Sequence, residues 1–234
     1  MKILKKTSAK RKFTLVKEII RNLRKDILIE IRSRHALNLS LTFAGVSTLA
    51  ISLMSGGVPF SPQIQAILMW VIIFFSAMNG LAHIFIREEE ERTALFLITS
   101  TKPEAIFLSK VTFNIFFFLI IVTIISILFI FFLDVTIFNI TLFILSTFSG
   151  AVAIAAMTTI LGSMVSRAGG KGSLFTIISL PVMLPVLWVS INTTFRSLQK
   201  SLPTDYGDII FLLAFSGGVT ALSLLLFKAI WFER

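Results

Sequence analysis

The sequence contains no cysteine among its 234 residues, and Asp, Glu, Lys and Arg together account for only 15% of it. The absence of cysteine excludes disulfides, zinc–thiolate sites and cysteine nucleophiles. The scarcity of charge leaves too little polar surface for a soluble protein, because 56% of the residues are hydrophobic. The chain is therefore predicted to be an integral membrane protein.

Charged residues are also missing from six long apolar runs, each near the ~20 residues that a helix needs to cross a membrane. None of the runs alternates with a period of two, which disfavours a β-barrel. The predicted fold class is an all-α integral membrane protein, with residues 1–34 as a basic segment and residues 35–234 as a six-helix domain. The predicted spans cover residues 36–57, 63–86, 111–133, 140–166, 172–195 and 209–227.

The basic residues are distributed unevenly between the two ends of the predicted helices. All but two of the 22 Lys and Arg residues fall on one side, and the exceptions are Arg196 and Lys200. The positive-inside rule therefore predicts that both termini lie in the cytoplasm. The net charge of +10 then reflects membrane topology more than an acidic partner.

The basic segment 1–34 has the pattern of an amphipathic helix lying in the membrane interface. Apolar residues recur at spacings of three and four between its lysines and arginines, which would face anionic lipid headgroups. Nucleic-acid binding is the alternative interpretation of so basic a segment, and this regular interleaving disfavours it. The apolar positions are Phe13, Val16, Ile19, Ile20, Leu23, Ile27 and Ile31.

An acidic stretch follows the second predicted span, in residues 87–102, hereafter the acidic loop. Its charges can pair locally, because Arg87 with Glu91 and Glu88 with Arg92 are spaced i, i+4. Thr101 and Glu104 have the spacing of a capping box, which predicts that a new helix starts there. The apolar patch within the loop either docks into a soluble partner or packs on its own bundle. The candidate docking residues are Glu88, Glu89, Glu90, Glu91, Arg92, Leu95, Phe96 and Ile98.

Few residues within the predicted spans suggest a function. Pro181 and Pro185 should kink or break the fifth span, either as a fixed bend or as a bend that moves. His35 and His83 are weak candidates for heme ligands, since an interfacial histidine more often has a structural role.

Two spans have a distinctive composition. The fourth span has a stripe of small residues that allows close packing, formed by Ala151, Ala155, Thr159 and Ser163. The third span has phenylalanines that we expect to face lipid, which are Phe113, Phe116, Phe117, Phe118, Phe129, Phe131 and Phe132.

No catalytic or nucleotide-binding motif is present, so the chain is not predicted to be an enzyme. The segment AGGKGS at residues 168–173 lacks the first glycine of a Walker A loop and the Ser or Thr that follows its lysine. The sequence has no HExxH or GxSxG motif. The apolar runs contain no ionisable Asp, Glu, Lys or Arg, which disfavours a proton- or sodium-coupled transporter.

Three segments resemble the CcmB family of membrane subunits, which belong to heme exporter-type ABC systems in bacterial cytochrome c maturation. They are KDILIEIRSRHALNLSLTFAGV, GLAHIFIREEEERTALFLITSTKPEAIFLSK and SMVSRAGGKGSLFTIISLPVMLPVLW. The resemblance covers nearly the whole chain, including the acidic loop and the paired prolines of span five. Many relatives have Gly where Thr93 stands, and this departure concerns the detail of the loop.

The resemblance implies a permease of the ABC-2 exporter type in the bacterial inner membrane, with the acidic loop contacting a separate ATPase subunit. It implies heme-handling membrane subunits as partners, and a second copy of the chain is a further expected partner. No cofactor is expected to be tightly bound, and heme would be the species transported or handed over. The alternatives are a general ABC exporter permease for lipid, drug or polysaccharide, and a non-conducting scaffold for the ATPase.

Overall fold

The computed structural model describes residues 2–81, 88, 97, 99, 101–167, 172–200 and 205–232, without the side chains of 2–14, 167, 172–176 and 229–232. These residues form helices and no strand, so the predicted all-α fold class is confirmed for them. The helices are α1 Lys2–Ser33, α2 His35–Met54, α3 Pro62–Gly80, α4 Pro103–Leu133, α5 Ile140–Arg167, α6 Gly172–Ser197 and α7 Gly207–Phe232.

Helices α2 to α7 account for the six predicted spans. Each contains a stretch that is long and apolar enough to cross a membrane. The observed helices match the predicted runs closely, apart from α4, which begins at Pro103, before the start of its run. Residues 82–86 of the second predicted run lie outside the described residues. The basic segment also forms the predicted helix, α1, which lies outside the six candidate spans.

Two short connections set the directions of the first three helices. Arg34, between α1 and α2, adopts a left-handed backbone with φ of 51°, which turns the chain sharply at the start of the first span. Gly56 and Gly57, between α2 and α3, also have positive φ, at 60° and 81°. Glycine adopts this conformation at little cost, so these two residues allow a tight turn between the first two spans.

Helix α5 is the centre of the bundle, packing against α4, α6 and α7. Its stripe of small residues explains this position, because Ala151, Ala155, Thr159 and Ser163 are all buried. The structure thus shows that the stripe packs within the chain. Helix α1 packs along α4, and α2 packs against α3 and α4.

The expectation that the phenylalanines of α4 face lipid is wrong for most of them. Phe116 and Phe131 are exposed, at 60% and 78%. The buried members are Phe113, Phe117, Phe118 and Phe129. An all-round apolar helix gives no periodicity to separate the two faces, and α4 is enclosed on several sides by α1, α2, α5 and α7.

Candidate functional site

Four charged side chains meet where α1 packs against α4. The Nζ atom of Lys110 in α4 lies 2.5 Å from Oε1 of Glu88 and 3.3 Å from Oδ2 of Asp26 in α1. The Nζ atom of Lys25 in α1 lies 2.6 Å from the same Glu88 oxygen and 3.3 Å from Oδ1 of Asp26. Each cation therefore contacts both anions, and the four groups, hereafter the ionic ring, sum to zero charge.

The ionic ring is largely shielded from solvent. The side chains of Lys110 and Asp26 are each 1% exposed and that of Glu88 is 5% exposed, whereas Lys25 retains 36%. Removing one partner of a buried ion pair typically costs about 3–5 kcal/mol, because it leaves an uncompensated charge. The loss of any one of the three buried charges would therefore leave another buried charge uncompensated.

The ring also alters the acid–base behaviour of Lys25. Burial by itself lowers the pKa of the Lys25 ammonium, because desolvation disfavours the charged form. Attraction from Asp26 and Glu88, with hydrogen bonds to both carboxylates, outweighs burial and raises the pKa of Lys25 above its ordinary value. Lys25 is therefore protonated at neutral pH.

The side of α1 that faces the bundle carries a polar row. Glu18 Oε2 accepts a hydrogen bond of 3.5 Å from the backbone N–H of Lys102, immediately before α4. Glu30 Oε1 accepts one of 3.2 Å from the backbone N–H of Leu37, in the first turn of α2. Carboxylates at helix beginnings satisfy unpaired donors and interact favourably with the helix dipole. The row recurs every four residues, as Glu18, Asn22, Asp26 and Glu30.

The opposite side of α1 is exposed and carries apolar residues with basic residues between them. Val16, Ile20, Leu28 and Ile31 are exposed. Of the predicted apolar positions, Leu23 and Ile27 instead pack partly against the core of the bundle. Helix α1 thus turns acidic groups inward and apolar groups outward, which suits a helix bound at a membrane interface.

Of the predicted docking residues, only Glu88 belongs to the described part of the chain. Glu89, Glu90, Glu91, Arg92, Leu95, Phe96 and Ile98 lie outside the described residues, as does Arg87. Local pairing of Glu88 with Arg92 therefore stays a prediction. The contacts of Glu88 in the structure reach across the fold, to Lys25 and Lys110.

The predicted capping box at the start of α4 is wrong. The N-cap residue is Lys102, which has an extended backbone with ψ of 144° and no side-chain capping bond, and Pro103 is the first helical residue. Thr101 could cap the helix only if Lys102 were already helical. The proline after Lys102 disfavours that conformation, so α4 begins at Pro103.

The prolines of α6 do not end the helix. The helix runs from Gly172 to Ser197 with Pro181 and Pro185 inside it, so the predicted break is wrong. Both prolines are exposed on the surface of the bundle. Each proline lacks the backbone N–H that would donate a helical hydrogen bond, but the hydrogen bonds of neighbouring turns keep the helix continuous. A fixed or a moving bend remains a prediction.

Of the two candidate histidines, the structure describes His35 but not His83. His35 is the first residue of α2 and is exposed. His83 lies outside the described residues. Heme ligation by either one stays a prediction.

A second polar cluster lies in the interior, among α3, α5 and α6. The indole N–H of Trp70 donates a hydrogen bond of 2.8 Å to Thr194 Oγ1, which is also 2.8 Å from Ser146 Oγ. All three residues are fully buried. The side-chain amide of Asn114 in α4 donates similarly to Thr159 in α5, at 2.9 Å. These bonds fix the helices against one another.

The opposite end of the bundle has a more exposed ionic group. Arg196, near the end of α6, lies 3.5 Å from Asp205 and 3.4 Å from Asp208 at the start of α7. Thr193 also donates a hydrogen bond of 3.1 Å to Asp208. Arg196, which is predicted to lie outside the cytoplasm, is thus paired with two acidic residues at this end of the bundle.

The sequence alone does not predict the ionic ring. Lys25 and Lys110 contribute to the predicted topology, and Asp26 has no predicted role. The polar row at four-residue spacing on α1 was a usable signal, because acidic residues on a basic interfacial helix need inward partners. The identity of those partners depends on tertiary packing, which residue spacing does not give.

Comparison with known proteins identifies one family. The family model described as CcmB protein matches residues 17–230. The match includes the ionic ring and all six candidate spans. No curated protein matches the chain.

Proposed function

The chain belongs to the CcmB family, whose members are membrane subunits of heme exporter-type ABC systems, and from this premise we propose a coupling function for it. A separate ATPase subunit docks on the acidic loop, and the movement that ATP drives in the ATPase is passed to the spanning helices. The chain itself hydrolyses nothing. It acts in the bacterial inner membrane during the assembly of c-type cytochromes.

The observation that carries this proposal is the position of Glu88. It belongs to the acidic loop and its carboxylate is bonded to Lys25 of α1 and Lys110 of α4. A loop residue that is bonded to two helices can transmit displacement to both. The buried pair with Lys110 also explains why an acidic residue, Glu88, lies near the start of the loop beside an apolar bundle.

The other partners follow from the same premise. Heme-handling membrane subunits assemble beside this chain, which transfers or hands over heme without holding it as a cofactor. Helix α1 binds the headgroup region of the cytoplasmic leaflet, supported by its exposed apolar residues and the basic residues between them. A second copy of the chain completes the permease.

The docking step is tested by Leu95→Asp, which places a charge in the apolar patch of the acidic loop. We expect the ATPase to leave the membrane fraction while the variant chain remains inserted. Leu53→Asp is the matched control, because Leu53 is 81% exposed at the far end of α2 and should leave ATPase binding unchanged. Normal ATPase retention by Leu95→Asp would contradict docking at this loop.

The substrate is tested by staining covalently bound heme in membrane proteins of cells that lack this chain and of the same cells complemented with it. Loss and recovery of c-type heme, with b-type heme unchanged, is the expected result. Unchanged c-type heme would favour a general exporter of lipid, drug or polysaccharide. A non-conducting scaffold would restore c-type heme without ATP-dependent changes in the labelling of the spanning helices.

A further inference from the structure

The ionic ring joins three stretches of chain that are far apart in sequence. Lys25 and Asp26 come from α1, Glu88 from the acidic loop and Lys110 from α4. Glu88 Oε1 is shared by both ammonium groups, at 2.6 Å and 2.5 Å. A displacement of Glu88 therefore acts on α1 and α4 at once.

The ring is built to stay closed during such a displacement. Asp26, Glu88 and Lys110 are buried, so separating any of them would leave a charge without compensation away from water. A surface ion pair would behave differently, since water replaces a lost partner at little cost. The structure thus favours movement of the ring as a unit over its opening.

Hydrogen bonds extend the connection along α1 in both directions. Glu18 is bonded to the backbone at Lys102, before α4, and Glu30 to the backbone at Leu37, in α2. The same helix is therefore attached to the beginnings of two spans, with the ionic ring between the two attachments. Helix α7 packs against α4, α5 and α6.

We propose that Lys25, Asp26, Glu88 and Lys110 form a rigid ionic joint that carries ATPase-driven movement of the acidic loop to α1 and to the beginnings of α2 and α4. The proposal rests on the function proposed above. Glu88 is the positioning residue of the joint, because it alone among the four belongs to the acidic loop. Helix α1 is then a moving part of the permease.

The experiment measures a distance between spin labels at Ile20→Cys in α1 and Leu225→Cys in α7, in the complex with its ATPase. The chain has no native cysteine, so these two positions are labelled selectively. Both side chains are exposed, at 58% and 78%. The distance is recorded without nucleotide and with ATP trapped by vanadate, alone and combined with Glu88→Gln.

With native Glu88, we expect the distance distribution to shift when ATP is trapped. In the complexes that retain the ATPase, Glu88→Gln should abolish that shift, and the amount of bound ATPase is measured in the same samples. Glu104→Gln is the matched control, since Glu104 is an exposed acid in the first turn of α4 and should leave the shift intact. Because Glu88→Gln leaves the ring with excess positive charge, Lys25→Gln/Glu88→Gln provides a second variant in which the ring is neutral again.

The other outcomes separate failure of the joint from failure of the proposed function. A normal shift in Glu88→Gln overturns the joint and leaves ATPase coupling standing. Loss of the ATPase from both the single and the neutral double variant also overturns it, because the ring would then only stabilise the fold. If the chain with native Glu88 binds the ATPase but shows no shift, the coupling function and the joint are both wrong.

Discussion

Gly150 of α5 lies so close to the indole ring of Trp70 in α3 that a Cβ atom would collide with Cη2 of the ring. Trp70 is fully buried, and its N–H is bonded to Thr194 on the far side. The ring is thus held between a hydrogen bond and a glycine. This contact lets three helices approach closely around the largest side chain of the core.

Gly150→Ala should destabilise the protein by about 1–3 kcal/mol, the usual cost of overpacking a dense core. The measurement is the thermal midpoint for loss of the monodisperse chromatographic peak in detergent. Gly217→Ala in α7 is the control, because nothing lies within 4 Å of its added Cβ atom. The control should be neutral or stabilising, since alanine is the better helix former.

A companion variant locates the cause of the Gly150→Ala effect. Trp70→Phe removes Cη2, the nearest atom to the new methyl group, and leaves Ser190 Oγ at 2.7 Å, so the alanine substitution should cost less, though still something, in that background. An equal cost in both backgrounds would mean that the collision with Trp70 is not the reason for the loss.

Thr194→Val should also destabilise the protein, by about 1–2 kcal/mol. The substitution conserves shape but leaves the buried indole N–H of Trp70 without its acceptor, and an unsatisfied buried group costs about 1–3 kcal/mol. Hydrogen bonds between membrane helices contribute only about 0.6 kcal/mol on average, so we expect a cost below the upper limit of that range. The same thermal midpoint measures it.

Thr123→Val is the matched control for Thr194, because Thr123 is exposed on α4 and bonded to the Leu119 carbonyl of its own helix. It should change the midpoint little. In a Trp70→Phe background the cost of Thr194→Val should largely vanish. Persistence of the full cost would assign it to the contact with Ser146 instead.

Much of the fold follows from sequence alone, because membrane spans have a length and composition that few other segments share. The runs at 36–57 and 140–166 became α2 and α5 with small shifts at their ends. The small-residue stripe of α5 likewise indicated a packing face. These features are local, so a single sequence suffices to find them.

The candidate site was harder to predict because its members are distant in sequence. Spacing predicts Arg92 as a partner for Glu88, which stays a prediction, and it does not indicate Lys25 and Lys110, which the structure brings to Glu88. Likewise, hydropathy could not separate buried Phe118 from exposed Phe116. In each case, the packing of other helices around α4 decides the outcome, and no single segment reveals that packing.

Asp26→Asn should destabilise the protein by about 3 kcal/mol. The substitution leaves excess positive charge in the ionic ring, and an uncompensated buried charge typically costs about 3–5 kcal/mol. The lower end is expected because Glu88 still neutralises one cation and Lys25 is 36% exposed. The thermal midpoint in detergent again provides the measurement.

Asp205→Asn tests whether burial is the reason for that cost. Asp205 also pairs with a cation, Arg196, but its side chain is 59% exposed. Exposed ion pairs contribute at most about 1 kcal/mol, so this variant should lower the midpoint only slightly. Equal shifts for the two asparagine variants would contradict the buried character of the ring.

The direction of the Lys25 pKa shift predicts how the attachment of α1 depends on pH. A pKa raised in the folded state means that the contribution of Lys25 to stability is fully present below the ordinary lysine pKa and is lost as pH rises through the raised value. The mobility of a spin label at Ile20→Cys should therefore stay constant through the neutral range and increase only at alkaline pH, above about 10. Lys25→Gln should remove part of this alkaline transition, whereas Lys17→Gln, at an exposed position of the same helix, should not.

The opposite pH dependence would contradict this prediction. If desolvation outweighed the attraction of the two carboxylates, the pKa of Lys25 would instead fall and α1 would loosen at lower pH. An increase in mobility as the pH is lowered below the ordinary lysine pKa, if it is absent from Lys25→Gln, would thus show that Asp26 and Glu88 do not hold the charge on Lys25.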